Sequence, residues 1–167
     1  RTGYRNLSEL LTHAYRFGQR GGVAMVEESA LTEQSLRGLI MLSGGTAGDL
    51  GFLVAEGRND AGADRMQHWQ RLLGDRYFVE LNRTGRARED RYIDVVVELA
   101  DKLGVPLVAT NDVRFLEADE YDAHEARVCI HQGRTLADPR RPRDYAAEQY
   151  LRSEADMCEL FADLPDA

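Results

Sequence analysis

Only two cysteines, Cys129 and Cys158, occur in the 167 residues, and they are not in CxxC spacing. Both fall inside apolar helical patterns, which makes them reduced core thiols and not a disulfide or a metal pair. A cytoplasmic location is the expectation that follows. Basic charge is also in short supply: 21 Lys and Arg stand against 29 Asp and Glu, for a formal net charge of −8. That argues against an extended basic surface for nucleic acid, because phosphate contacts need clustered Lys and Arg. The clearest local basic patch, Arg140-Arg141-Pro142-Arg143, reads as a solvated loop. No run of about 18 apolar residues exists, so no membrane span is indicated. A signal peptide's charged and apolar regions are missing as well. The chain opens Arg1-Thr2-Gly3 with no Met, as expected of a segment cut from something longer. No internal repeat is visible.

What is present is a soluble globular composition, 43% hydrophobic and 30% charged, in one domain-sized unit over residues 1–167. The stretch Val105 to Leu116 organises the reading. A short apolar run follows Gly104 and breaks into Thr110-Asn111-Asp112, the pattern of a buried parallel strand opening onto a polar site. In open α/β sheets and (β/α) barrels, ligands collect at that end of the strands.

Taken in order, Asn6 or Ser8 begins a first helix with Leu7, Leu10, Leu11, Ala14 and Tyr15 on one face, stopped by Gly18. Ser29 to Gln34 suggests a short helix. Gly38 to Ser43 reads as a strand apolar on both faces, ending in Ser43-Gly44-Gly45-Thr46-Ala47-Gly48. Those glycines fit a tight strand-to-helix turn at least as well as a phosphate loop, since neither GxGxxG nor GxxxxGK[ST] is in frame. Helices are predicted over Asp49 to Glu56, Asp60 to Leu73 and Glu89 to Leu103, each closed by a glycine. Arg76 to Asn82 is a second strand. Asp119 should cap a helix to about His131, Leu136 to Arg143 is irregular, and Ala146 to Leu151 suggests one or two helical turns. Ser153 caps a last helix, Glu154 to Phe161. Strand, helices, strand, helix, strand, helix is a parallel α/β succession. Three strands are too few to close a barrel of about eight, so the chain reads as the second half of one.

A barrel mouth built this way gathers Ser43-Gly44-Gly45, then Glu80 to Thr84, then Asn111 to Arg114. Glu80, Asn82, Asn111, Asp112 and Arg114 are the candidate site residues. A metal-dependent hydrolase needs several His, Asp, Glu or Cys ligands around its ions. Only Glu80 and Asp112 qualify, and no histidine stands at a strand end. His124 and His131 share a helix face but lie two turns apart, too far for shared ligation. His13 reads as a surface or partly buried histidine, and His68 as structural. Ser43 lacks the G-x-S-x-G elbow of a nucleophile. Catalysis by this segment is therefore not indicated by its residues.

Several motifs in order carry a resemblance: Gly3-Tyr4-Arg5-Asn6-Leu7, Leu42-Ser43-Gly44-Gly45, Arg76-Tyr77-Phe78-Val79-Glu80-Leu81, Val108-Ala109-Thr110-Asn111-Asp112-Val113, Asp122-Ala123-His124-Glu125 and Leu151-Arg152-Ser153-Glu154-Ala155-Asp156-Met157. Together they resemble the polymerase-and-histidinol-phosphatase (PHP) domain of bacterial replicative DNA polymerase III alpha subunits, over nearly the whole chain. The resemblance implies a partial (β/α) barrel of PHP type, C-terminal half only, with parallel strands, intervening helices and the start of a link to the polymerase core. The parent would be a DNA-directed DNA polymerase, a nucleotidyltransferase whose catalytic carboxylates lie beyond Ala167. Implied partners are the rest of the alpha subunit and a separate proofreading exonuclease subunit, with DNA reached only through the parent and no membrane.

Family members that keep a metal site resemble LSGC, a histidine before glycine, and TNDVH where this chain has Gly45, Thr84 and Arg114. Of the implied ligands only Asp112 remains, and Arg114 places a fixed positive charge where a cation would sit. Arg114 is expected to pair with Asp112 or Glu80, and no cofactor is expected. The leading expectation is a non-catalytic structural and docking domain. The alternative is an active divalent-metal phosphoesterase, a 3′–5′ exonuclease or pyrophosphatase, and a weaker third is a free-standing binding module.

Overall fold

The computed structural model describes all residues, 1–167. Its centre is the parallel strand β4 (Tyr77–Asn82), flanked by β3 (Met41–Leu42) and β5 (Leu107–Thr110) in the order β3-β4-β5. Period-2 alternation decides how β4 is used. Tyr77, Val79 and Leu81 are fully buried, whereas Phe78 and Glu80 on the other face are half-buried. Three helices supply the matching apolar stripes: α2 (Asp49–Ala55) with Leu50 and Val54, α3 (Asn59–Leu73) with Met66, Trp69 and Leu73, and α4 (Glu89–Leu103) with Tyr92, Ile93, Val96 and Ala100. These side chains, with Leu36, Val105 and Phe161, form one core cluster of 15 buried residues. Burying each large aliphatic contributes about 1.5–3 kcal/mol. Gly104 ends α4 in the left-handed conformation (φ 64°), which positions its N–H to close onto the Ala100 carbonyl.

The first helix, α1 (Thr2–Phe17), contributes no residue to that cluster. It begins four residues ahead of Asn6, which is not its cap. The buried Asn6 amide instead donates to the carbonyls of Gln34 (3.1 Å) and Arg37 (2.9 Å), tying mid-helix to a distant turn. A minimal hairpin of β1 (Gln19–Arg20) and β2 (Val23–Ala24) follows. The predicted helix over 29–34 is only a 3-10 turn, Glu28–Ala30.

Other expectations are corrected too. The strand over 38–43 shrinks to two residues, because Gly38 takes φ 77° and Ile40 is exposed. Strand β5 starts only after Pro106, which has no N–H to give a ladder, although its carbonyl accepts from Val79. Helix α5 (Tyr121–Gln132) is led in by a 3-10 turn whose capping box is Glu117 with Glu120, not Asp119. Residues 146–151 are no helix. Tyr150 bridges Phe115 in parallel, and Arg114 and Leu151 N–H groups donate to the Gln149 and Phe115 carbonyls, so the segment runs beside the end of the sheet. The last helix, α6 (Glu154–Leu160), is capped by Ser153 and Asp156 as its sequence specifies. Cys129 is buried but Cys158 is exposed, so only the first is a core thiol. Arg141 is not a solvated loop residue. Its side chain is 9% exposed and donates to the buried Glu125 of α5, as a buried carboxylate requires. The architecture is mixed α/β with a three-stranded parallel sheet, and no helix is long and apolar enough to cross a membrane.

Candidate functional site

The three strands deliver their polar residues to one end of the sheet, as parallel strands must. After β3, Gly44 and Gly45 take positive φ (82° and 56°), turning the chain sharply into α2. A Cβ on Gly45 would meet the Asn82 side-chain oxygen at 2.2 Å, so the turn is pressed against the end of β4. Ser43, buried just before it, ties three elements together. Its Oγ accepts from the Glu80 N–H at 2.9 Å and lies 3.1 Å from the Tyr92 hydroxyl of α4. Burial pushes the Tyr92 hydroxyl up to about 12, against the smaller opposing effect of the Ser43 hydrogen bond. That phenol stays protonated at neutral pH and acts as a fixed dipole.

Glu80 and Asn82 meet across the sheet at Thr110. The Thr110 hydroxyl donates to Glu80 Oε1 at 2.5 Å, and Asn82 Nδ2 donates to Thr110 Oγ1 at 2.8 Å and to its carbonyl at 3.2 Å. Thr84, fully buried, gives its N–H and its hydroxyl to the two oxygens of the buried Glu89, each at 2.6 Å. Arg86 Nε reaches both Thr84 Oγ1 (2.9 Å) and Glu89 Oε1 (3.2 Å).

Asp112 is the second focus. It holds φ 42°, one of two non-glycine residues in the left-handed region, a conformation that Asp tolerates better than most. Oδ1 accepts from Arg114 Nη2 at 2.7 Å. Oδ2 lies 2.8 Å from Arg86 Nη1 and accepts from Gln149 Nε2 at 3.0 Å. Arg114 therefore pairs with Asp112 and not with Glu80, and its guanidinium sits 5.4 Å from the Tyr145 ring centroid. Asn111 points elsewhere. Its Nδ2 donates to the carbonyls of Glu148 (2.7 Å) and Tyr150 (2.8 Å), holding the 146–151 segment in place. The five sequence candidates thus fall into a Glu80–Asn82 pair, an Asp112–Arg114 pair, and Asn111 as a separate clamp.

Arg86, Glu89, Thr110 and Gln149 belong to this network and were not singled out from sequence. Arg86 carried a weak signal, lying in the polar run after β4. Gln149 carried none, because it reaches Asp112 only through the fold. A divalent ion needs open carboxylate or imidazole lone pairs. Here both Asp112 oxygens are engaged by guanidinium and amide donors, and Glu80 is engaged by Thr110. No group of three or more His, Cys, Asp or Glu side chains converges as a metal cage. His124 is buried against Phe115 and Tyr145 on α5, and His131 on the same helix is exposed.

Comparison with known proteins gives this geometry a context. A family model described as PHP domain matches residues 1–84, half of the chain. Over 166 residues, 99% of its length, the chain is 48% identical to the DNA polymerase III subunit alpha of Escherichia coli (strain K12). It is 44% identical over 165 residues to the same subunit of Pseudomonas aeruginosa, and 43% to that of Vibrio cholerae. The chain spans 14% of the length of each of these relatives.

Proposed function

The chain belongs to the PHP domain family, and from that premise we propose that it serves as the PHP portion of a DNA polymerase alpha subunit, structural and not hydrolytic. The three parallel strands form the second half of a (β/α) barrel of PHP type, and the final residues begin the link to the polymerase core. DNA is met only through the parent polymerase, and the surroundings are the cytoplasm. One observation carries the non-catalytic reading: the Asp112 carboxylate is closed by Arg86, Arg114 and Gln149. A guanidinium at each oxygen occupies the electrostatic place of a cation, and two fixed positive charges oppose the entry of a third. The mouth then works as a rivet, joining the loop after β4, the end of β5 and the 146–151 segment.

Freed from turnover, the domain serves as a docking platform for the rest of the alpha subunit and for a proofreading exonuclease subunit. The test is hydrolysis of p-nitrophenyl phosphate and of 3′-labelled DNA with Mn²⁺ or Zn²⁺ supplied, beside size-exclusion chromatography with the cognate exonuclease subunit. We expect no turnover above an Asp112→Ala control, and co-elution with the exonuclease. Metal-dependent turnover abolished by Asp112→Ala would establish an active phosphoesterase instead, and separate elution would remove the docking role.

A further inference from the structure

A recess of about 320 Å³ opens beside the rivet, lined only by residues between 114 and 127 and so by neither end of the chain. His124 of α5 forms part of its wall. That residue is 6% exposed, and its ring packs on Phe115 (5.5 Å between centroids) and Tyr145 (4.6 Å). Neither ring nitrogen bonds to a protein group, and Nδ1 is sealed from solvent. A neutral imidazole carries one N–H. Sealed Nδ1 has no acceptor for it, so the proton belongs on Nε2, the nitrogen left open toward the recess. Two guanidiniums act on the same ring. Arg127 follows His124 by one turn of α5, lines the recess, and is exposed with no ion-pair partner. Arg114 enters from the end of β5. It spends Nη2 on Asp112, and its guanidinium and the His124 ring both pack on Tyr145. Besides burial, Arg127 and then Arg114 disfavour the charged imidazole, with Glu125 acting the other way. The carboxylates nearby are already engaged: Glu125 by Arg141, and Glu120 Oε2 by the N–H groups of Leu116 and Glu117.

We infer that this recess binds a phosphate group, held by the guanidiniums of Arg127 and Arg114 with His124 Nε2–H as a third donor. Charge decides the sign of the ligand. A cation would meet two like charges, whereas an anion neutralises positive charge that already converges on His124. Donor count decides its kind. A carboxylate offers two oxygens, while a phosphate group presents three strong acceptors and suits the planar fork of arginine. Arg114 can take part without leaving Asp112, because its Nη1 and Nε make no hydrogen bond within the protein. Free phosphate and the phosphate end of a nucleotide share this chemistry. Binding alone is required, with no metal and no bond broken, so the site stands apart from the docking role proposed above.

Inorganic phosphate, thymidine 5′-monophosphate and thymidine are the probes, each titrated into the isotopically labelled chain at constant ionic strength and followed by amide and histidine-ring chemical shifts. Phosphate should give saturable shifts centred on Ala123, His124 and Arg127, half-complete at about 1 mM or below. Thymidine should give none. The monophosphate should bind at the same residues, and tighter binding than phosphate would make a nucleotide the source, equal binding the free anion. Arg127→Gln should weaken phosphate binding about tenfold. The control Arg71→Gln removes one exposed, unpaired arginine from α3, outside the recess, and should stay within about twofold of the parent. Both positions are exposed, and circular dichroism verifies that each variant is folded. Shifts that do not saturate, shifts that miss the recess, equal weakening in the two variants, or equal binding of thymidine would each overturn the inference.

Discussion

Asp112 combines a left-handed backbone with a carboxylate held by three side-chain donors, and each feature predicts a different response to substitution. Asp112→Ala removes the acceptor shared by Arg86, Arg114 and Gln149, leaving Arg86 only Thr84 and Glu89, and puts a Cβ-bearing residue without local hydrogen bonding at φ 42°. With the side chain 26% exposed, solvent recovers part of the loss, so the cost should be about 1–2 kcal/mol in urea unfolding. Asp112→Asn keeps a residue suited to that conformation and one good acceptor, and should cost less than the alanine change. Equal stability of Asp112→Ala and the parent would mean that the rivet holds nothing. The Asp112–Arg114 half was legible in sequence, because the partners are two residues apart. The Arg86 and Gln149 half was not, since side chains on separate loops meet only once the strands are in register.

His124 yields a pH prediction at the same scale. Burial, then Arg127 nearby, lowers its pKa from 6.5. A histidine that resists protonation when folded binds its proton more readily when unfolded, so stability falls as pH drops below about 6.5 and toward the lower folded value. The carboxylates lowered by hydrogen bonding, such as Asp156 with Ser153 and Asp163 with Arg83, lose their contributions only further down, from about pH 4. His124→Phe should therefore flatten unfolding free energy just below about pH 6.5 while leaving the steeper acid limb in place. An unchanged profile in that window would show that another group titrates there.

Among the elements, α1 and β4 sit at opposite ends of a stability scale. Helix α1 rests on Asn6 and on a close approach in which a Cβ at Gly3 would come within 1.9 Å of the Gly38 carbonyl oxygen. Gly3→Ala should gain about 1 kcal/mol of helix propensity and lose more to that clash, because backbone cannot step aside. Since α1 lends nothing to the core cluster, hydrogen exchange should accelerate across 2–17 while β4 amides stay protected. Loss of protection in both would show that α1 folds as one unit with the sheet. Leu81→Ala, at a fully buried position of β4, should cost about 2–5 kcal/mol, read from the denaturant midpoint. Sequence revealed α2, α3, α4 and α6 well, because periodic apolar faces coincide with glycine ends or a Ser cap. It failed where long-range bonds override local preference. Asn6 looked like a cap and is a tether, and Ala146 to Leu151 looked helical although the Asn111 amide draws it out beside the sheet.

For the whole molecule, the parallel succession read from sequence is the sheet observed, with β4 central and β3 and β5 each paired on one side only. Parallel sheets are normally covered on both faces, yet Phe78 and Glu80 are only half-buried, Ile40 is exposed, and Tyr4, Leu7, Leu11 and Tyr15 form an exposed stripe on α1. Such open apolar surface is what the proposed place within a larger polymerase subunit would have to cover. At the mouth of this fold Asp112 pairs with Arg86 and Arg114, and the proposed non-hydrolytic role requires that no metal displace them. Calorimetric titration of Mn²⁺ and Zn²⁺ into the chain, beside Asp112→Ala, tests it most directly. No stoichiometric binding is expected in the parent, and no difference between the two proteins. One-to-one binding in the parent that disappears in Asp112→Ala would contradict it.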